Sequence, residues 1–187
     1  MKKFLLILQL ALLFFLAFSC QDKEAMAELE EFRTQAALEE QNIELVKKMF
    51  EAWAKDDMET FGELVAPGYV YYFPSNTEKP TSLEELRETA KMFWNGFPDM
   101  SFTMEDIFAV EDRVTFRFIQ RGTHTGDFMG IPATGNTFES SGILISRIED
   151  GKVVEQWEEF NMLGMMQQLG MELKPKEGEK ELPLTME

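Results

Sequence analysis

The sequence contains little that could form a disulfide, a metal centre or a nucleic-acid surface. It has one cysteine and one histidine, so it cannot make an internal disulfide or a site of several histidines, and we expect no zinc or other metal bound by such side chains. Lys and Arg number 18 against 34 Asp and Glu, for a formal net charge of −16. Because affinity for a phosphate backbone depends on clustered Lys and Arg, this balance argues against a nucleic-acid partner.

Large apolar side chains, by contrast, are abundant. The 187 residues include 17 Phe, 13 Met and 3 Trp. A chain of this length buries enough apolar surface to fold without disulfides or a metal. We therefore expect one ordinary domain.

The N-terminus has the pattern of an export signal. Two lysines precede an apolar run over residues 4–18, which is short for a transmembrane helix of about 20 residues. The run leads into Ser19-Cys20, which resembles a bacterial lipobox, where the cysteine becomes the lipidated N-terminus. We predict a lipoprotein signal peptide over residues 1–20, lipidation at Cys20, and a location in the bacterial cell envelope with the lipid as membrane contact. The alternatives are a plain secretory signal with an incidental cysteine, or an uncleaved anchor.

Composition divides the remaining chain into three parts. Residues 21–38 are charged and alanine-rich without Gly or Pro, which favours a helical spacer. Residues 39–170 carry the periodic patterns of a folded domain. Residues 171–187 combine few bulky side chains with proline and alternating charge, and we expect this acidic tail to be disordered.

Hydrophobic periodicity in the domain predicts helices first and strands later. The predicted helices cover residues 39–54, 58–64 and 83–94, the last capped by Thr81 or Ser82. A short strand is predicted over 69–73, and four longer strands over 102–110, 113–124, 137–148 and 152–162. A last helix is predicted over 163–169. Because tight acidic turns connect the long strands, the sheet should be mainly an antiparallel meander, and the fold class α+β.

Three segments together resemble the SnoaL-like polyketide cyclase family. They are Arg121-Gly122-Thr123-His124-Thr125-Gly126, Met129-Gly130-Ile131-Pro132-Ala133-Thr134-Gly135 and the stretch 147–157 that ends in Trp157. The resemblance covers residues 39–170 and implies a nuclear transport factor 2-like cone, in which a curved antiparallel sheet and about three helices surround one pocket. It also implies a homodimer that pairs through the sheet. It does not fix a reaction, because such cones include cyclases, isomerases, dehydratases, binding proteins and adaptors.

Strand parity identifies candidates for the pocket lining. In the strand 113–124, alternate residues share one face, and the face with Phe118, Gln120 and His124 should point inward. His124 would then lie at the inner rim, unless a bulge beside Gly122 swaps the faces. The glycine-flanked loop that follows has an apolar tip at Met129, which we interpret as a lip of the pocket.

Other lining residues come from the family pattern and from aromatic content. The strand 152–162 has no cleanly apolar face, so Trp157 and Asn161 are assigned to the pocket on the family pattern. Trp53, Tyr71 and Trp94 are further candidates. Aromatic residues of such folds are more often core than ligand contacts, so each of these has a purely structural alternative.

The resemblance further implies an intramolecular aldol ring closure without a cofactor. That reaction needs a carboxylate to take a proton from carbon, and burial in an apolar cone would raise the pKa of that carboxylate toward neutrality. The family pattern expects an Asp four residues after Trp157, where this sequence has Asn161. An amide cannot abstract a proton, although it can donate a hydrogen bond.

Three residues could replace the missing base, namely Glu159, Asp127 and His124. The alternative for His124 is a rim histidine bonded to the backbone. For Glu158, Glu159 and Glu139, a solvated face is the ordinary position in so acidic a chain.

Two functions from different classes remain open. The first is an exported protein whose cone binds a small apolar or aromatic molecule, with a cofactor-free lyase or isomerase activity. The second is a non-catalytic module that offers its sheet to a partner or to a second copy. An enclosed cavity that reaches His124 and Asn161 favours the first, and a cone filled by Phe, Met and Trp favours the second.

Overall fold

The computed structural model describes residues 2–73, 79–172 and 174, with side chains from residue 23 onward. The side chain of Cys20 and most of the predicted tail 171–187 lie outside the described residues. Within the described part, no helix is both long enough and apolar enough to cross a membrane.

Four helices and six strands make up the described chain. The helices are α1 (Lys2–Ala54), α2 (Met58–Leu64), α3 (Leu83–Gly96) and α4 (Met162–Gln168). The strands are β1 (Val65–Tyr72), β2 (Thr81–Ser82), β3 (Ser101–Val110), β4 (Arg113–Thr123), β5 (Thr137–Glu149) and β6 (Lys152–Phe160). They form one sheet in the order β2-β1-β6-β5-β4-β3, which confirms the α+β class.

Local capping explains where the short helices begin. Asp57 caps α2 by accepting a hydrogen bond from the backbone N–H of Thr60 at 3.0 Å. Ser82 and Glu85 form a capping box at the start of α3, in which each side chain binds the other's backbone N–H. Both starts were predicted from the sequence and are confirmed.

The sheet combines the expected meander with one long-range pairing. Strands β3 to β6 pair antiparallel in chain order, as predicted. Strand β1 starts four residues earlier than the predicted 69–73 and runs parallel to β6. This pairing brings Tyr69 and Tyr71 next to β6, the last strand of the meander, where the candidate functional site lies.

The inner face of the sheet is covered by two apolar clusters. The first lies between the C-terminal part of α1 and the sheet and includes Val46, Met49, Phe116 and Phe118. The second contains Phe97, Phe128 and Phe138 with residues of α3 and α4. The candidate cavity lies mainly in the first cluster and is bordered by Phe93 and Met100 of the second.

Gly142 allows the close packing of Phe118 on the inner face. A Cβ atom at Gly142 would lie 2.4 Å from Cζ of Phe118 and 2.7 Å from the carbonyl oxygen of Glu159. Because one of these contacts is with backbone of the adjacent strand, a side chain at this position requires β5 and β6 to shift.

We expect Gly142→Ala to lower the free energy of unfolding by about 1–3 kcal/mol, because it overpacks the inner face. Chemical denaturation measures the change. The control is Ser141→Ala on the exposed face of the same strand, which should change stability by less than about 0.5 kcal/mol. Equal stability of the two variants would contradict this account of the packing.

Candidate functional site

A cavity of about 50 Å³ lies between α1, α3 and the inner face of the sheet. Its walls are mostly Phe, Met and Trp, with a small polar set. Among the lining residues are Met49, Trp53, Tyr71, Met100, Phe118, Gln120, Gln156 and Glu158. The cavity is smaller than the roughly 150 Å³ space that holds benzene in an apolar core, so aromatic and methionine side chains fill most of the cone. It reaches neither His124 nor Asn161. Both parts of the criterion set from the sequence therefore favour the non-catalytic module.

Glu158 places a carboxylate against these apolar walls. Its Oε2 atom accepts a hydrogen bond from the Tyr71 hydroxyl at 2.5 Å. Loss of hydration, with a smaller contribution from nearby Glu159, raises the pKa of Glu158 to about 7, although the Tyr71 hydrogen bond opposes the rise. The side chain is half-buried and borders the cavity. A carboxyl group with this pKa can hold or release a proton near neutral pH.

A second hydrogen-bonded chain runs beside the first. The Tyr69 hydroxyl donates to Oε1 of Gln156 at 2.5 Å, and Nε2 of Gln156 donates to Oγ of Ser146 at 2.9 Å. Burial raises the pKa of both Tyr69 and Tyr71 well above the ordinary value, with the charge of Glu158 as a further cause. Both hydroxyl groups therefore stay protonated and act as donors.

A β-bulge explains why Glu158 points inward. Arg147 pairs with Glu155, but the next residue of β5, Ile148, pairs with Val153, so Val154 is an extra residue in β6. The extra residue reverses the alternation of faces along the strand. Val153 is buried before the bulge, and Gln156 is buried after it. The assignment of Trp157 and Asn161 to the pocket was wrong for this reason, as was the solvated face expected for Glu158.

The residues predicted as replacement bases on β6 and in the loop lie outside the cavity. Glu159 and Asn161 are exposed and line a shallow depression on the outer face together with Arg117. Asn161 is the N-cap of α4, where its Oδ1 accepts from the N–H of Gly164 at 2.9 Å. Asp127 is exposed, and its Oδ1 accepts from the N–H of Gly130 at 3.1 Å. These contacts give Asn161 and Asp127 local structural roles.

His124 points inward as predicted but does not reach the rim of the cavity. It is 0% exposed and packs on the rings of Phe97 and Phe128 in the second cluster. Its Nδ1 lies 3.1 Å from Oγ1 of Thr134. The loop that was expected to form a lip instead folds over His124, because Phe128, the residue before the tip, is buried.

The predicted ligand contacts divide between the cavity and other places. Trp53, Tyr71, Phe118 and Gln120 line the cavity. Trp94 packs against the second cluster and the edge of Phe102. The other two are turned away from the cavity, because Met129 is 58% exposed at the loop tip and Trp157 stacks on Tyr72 on the outer face.

Sequence reasoning missed Glu158 and Gln156. Gln156, Glu158 and Phe160 share one face of the strand. Without knowledge of the bulge, the sequence could not show whether that face points inward or outward. The sequence contained one available signal. Tyr69 and Tyr71 are two hydroxyl donors with one residue between them, and Gln156 and Glu158 are two acceptors with the same spacing.

Comparison with known proteins gives the same family as the sequence motifs. The family model described as SnoaL-like polyketide cyclase matches residues 43–169. Among characterised relatives, the aklanonic acid methyl ester cyclase DauD of Streptomyces sp. (strain C5) is 28% identical over 151 residues, which cover 75% of this chain and 89% of that protein.

Solved structures of similar proteins have the same fold as this chain. IdmH of Streptomyces antibioticus, a proposed polyketide cyclase, is 34% identical with a TM-score of 0.62, and the match covers 70% of this chain and 99% of IdmH. AclR of Streptomyces galilaeus, a proposed hydroxylase, is 29% identical with a TM-score of 0.62 over 69% of this chain and 95% of AclR. The expected nuclear transport factor 2-like fold is thereby confirmed. The chain belongs to the SnoaL-like polyketide cyclase family.

Proposed function

We propose that the cone binds a small apolar or aromatic carbonyl compound and that Glu158 transfers a proton at a carbon beside the carbonyl group. The reaction is of the cyclase or isomerase type and uses no cofactor. The observation that carries the proposal is the carboxylate of Glu158, which borders an apolar cavity and has a pKa of about 7. This is the property that a general base for carbon acids needs.

The arrangement supports a complete proton cycle. Ionised Glu158 takes a proton from the carbon, the C–H electron pair forms a C=C bond to the carbonyl carbon, and the C=O π pair moves to the oxygen to give an enolate. In ring closure, the enolate carbon attacks a second carbonyl carbon of the same molecule, and the proton on Glu158 passes to the resulting alkoxide. In isomerisation, the proton returns to a different carbon. Tyr71 keeps the carboxylate oriented in both cases, because its hydroxyl donates to Oε2.

A purely structural role is a weaker explanation of Glu158. A neutral amide could accept the same Tyr71 hydrogen bond without the cost of burying a charge. Carboxylates whose pKa is raised by burial concentrate at functional sites. The similarity to an ester cyclase supports ring closure, and the similarity to a proposed hydroxylase shows that related cones are assigned more than one reaction.

The small volume of the cavity counts toward the non-catalytic alternative and sets a condition on ligand binding. A ring-bearing ligand needs more than about 50 Å³, so side chains must move to admit it. Met49 and Met100 line the cavity, and methionine adapts its shape at low cost because its side chain is unbranched and flexible. We propose that these two residues move aside when the ligand binds.

A second candidate function, association through the sheet, is favoured by one cross-strand row on the outer face. Adjacent pairs in the ladder connect Tyr72 with Trp157, Trp157 with Ile145, Ile145 with Thr115, and Thr115 with Phe108. Phe108 is 56% exposed, and Ile143 beside the row is 50% exposed. Rows of mixed charge flank this apolar row, as at the rim of an interface.

The positions of the charged residues in the flanking rows are complementary to those of a second copy of the chain. A twofold axis along β5 would set β4 of one copy against β6 of the other. Arg113 would then oppose Glu155, and Arg117 would oppose Glu159, while Ile143 would meet its own symmetry mate. We therefore propose the homodimer through this face. Export and lipidation at Cys20 are likewise proposed on the sequence pattern alone.

The acid–base proposal can be tested without knowledge of the natural substrate. In D₂O at pH 8, the wild-type protein should accelerate exchange of the α-protons of 2-tetralone, followed by proton NMR. We expect Glu158→Gln to lower the protein-dependent rate by about 10²- to 10⁴-fold, the usual contribution of a general base. Glu159→Gln removes a carboxylate from the exposed face of the same strand and should keep the rate. Exchange that survives in Glu158→Gln would contradict the proposal.

The dimer proposal predicts that a charge near the twofold axis separates the subunits. Light scattering of the protein without residues 1–20 should give twice the chain mass for the wild type and a single chain mass for Ile143→Arg. Leu38→Arg is the control, because Leu38 is 47% exposed on α1, away from the sheet face; it should remain dimeric. A monomeric wild type would refute the interface.

A further inference from the structure

Gln120 is a buried polar residue on an aromatic wall of the cavity. It is 3% exposed and lies on the inner face of β4 after Phe116 and Phe118, opposite Phe102 of β3. All four residues line the cavity. Nε2 of Gln120 has no hydrogen-bond partner within the described part of the chain.

Among the described residues, two buried side-chain atoms are unpaired, Nε2 of Gln120 and Nε2 of His124, and His124 lies in the second cluster and not on the cavity wall. Other buried polar side chains are hydrogen-bonded. Nδ2 of Asn42 donates to the carbonyl of Glu111 at 3.2 Å, and Oγ of Ser140 donates to the carbonyl of Asn161 at 3.1 Å. Gln156 is bonded through both its amide oxygen and its amide nitrogen. Leaving a buried donor unpaired destabilises a fold, so a free donor on a cavity wall is explained best by a ligand that accepts its hydrogen bond.

The place of Gln120 differs from that of Glu158. Glu158 pairs with Leu144, and Leu144 pairs with Phe116, so Glu158 lies two strands away from β4. Gln120 lies four residues beyond Phe116 along that strand. In a flat sheet this separation would be about 16 Å between Cα atoms, from the spacings between strands and along a strand. The curved sheet brings both side chains to one cavity, but on different walls.

From this placement, and resting on the function proposed above, we infer that Gln120 binds a hydrogen-bond acceptor oxygen of the ligand at the end remote from the carbon that Glu158 deprotonates. The ligand class is an apolar, ring-bearing molecule with two polar ends. One end carries the acidic carbon and its carbonyl group, and the other carries a second carbonyl or ether oxygen. Gln120 thus selects oxygenated ligands over hydrocarbons of the same shape and takes no part in proton transfer.

The test compares two probes that differ by one carbonyl oxygen, acetophenone and ethylbenzene. Titrations at pH 8 with ¹H–¹⁵N NMR give both dissociation constants and report the side-chain amide of Gln120. At this pH, Glu158, with a pKa of about 7, is mostly ionised and cannot donate to the carbonyl group. We expect the wild type to bind acetophenone about 5- to 10-fold more tightly, the ratio that one hydrogen bond provides, with a shift of the Gln120 amide signal.

Gln120→Met keeps the shape of the side chain and removes the donor. It should abolish the preference for acetophenone and leave the affinity for ethylbenzene unchanged or higher. Because it removes an unpaired polar group, it should also raise the melting temperature. Phe118→Leu, on the same wall, is the control and should weaken both probes alike.

Three results would overturn the inference. The wild type could bind acetophenone and ethylbenzene equally well, the preference for acetophenone could persist in Gln120→Met, or neither probe could bind to the wild type. The proposed function fails differently, through α-proton exchange that does not depend on Glu158. If exchange depends on Glu158 but the probe preference does not depend on Gln120, only the present inference is lost.

Discussion

The loss of hydration around the Glu158 carboxylate is the constraint on which the proposed chemistry depends. Its pKa moves from 4.5 to about 7, and since a tenfold change in proton affinity is about 1.4 kcal/mol, the ionised form costs the fold about 3 kcal/mol. The folded protein binds this proton more tightly than the unfolded chain. The stability from this group is therefore complete below about pH 4.5 and is lost as the pH rises to about 7. By our proposal, the site is active in the pH range where Glu158 is ionised and therefore destabilises the fold most.

Two features of the backbone make that burial feasible. The extra residue Val154 in β6 turns Gln156 and Glu158 inward, and the parallel pairing of β1 with β6 brings Tyr69 and Tyr71 to meet them. Each hydroxyl donates to one acceptor, so neither the amide nor the carboxylate is left without a partner. Without the bulge, Glu158 would lie on the outer face, where water would hydrate its charge and its pKa would have no reason to rise.

The sequence predicted the parts of the fold that depend on local interactions. The starts of α2 and α3 follow from caps within four residues, and the inward face of β4 was correct because its pairing with β5 has no register shift. The face of β6 was wrong because neither face of the strand is cleanly apolar, so Trp157 and Asn161 were assigned on the family pattern, and the extra residue Val154 leaves no mark in the sequence. His124 was placed at a rim because the strand pattern cannot show that Phe128, four residues later, folds back over it. The pairing of β1 with β6 joins segments more than 80 residues apart along the chain, and no local pattern specifies it.

The central claim is that the apolar cavity keeps the proton of Glu158 near neutral pH. The most direct measurement is a pH titration of the glutamate side-chain carboxyl carbons by ¹³C NMR, with Glu158 assigned by the signal missing from Glu158→Gln. The account predicts that this one signal titrates with a midpoint near 7, far above the ordinary midpoint of about 4.3. A midpoint for Glu158 below about 5 would show a hydrated carboxylate and would contradict the account.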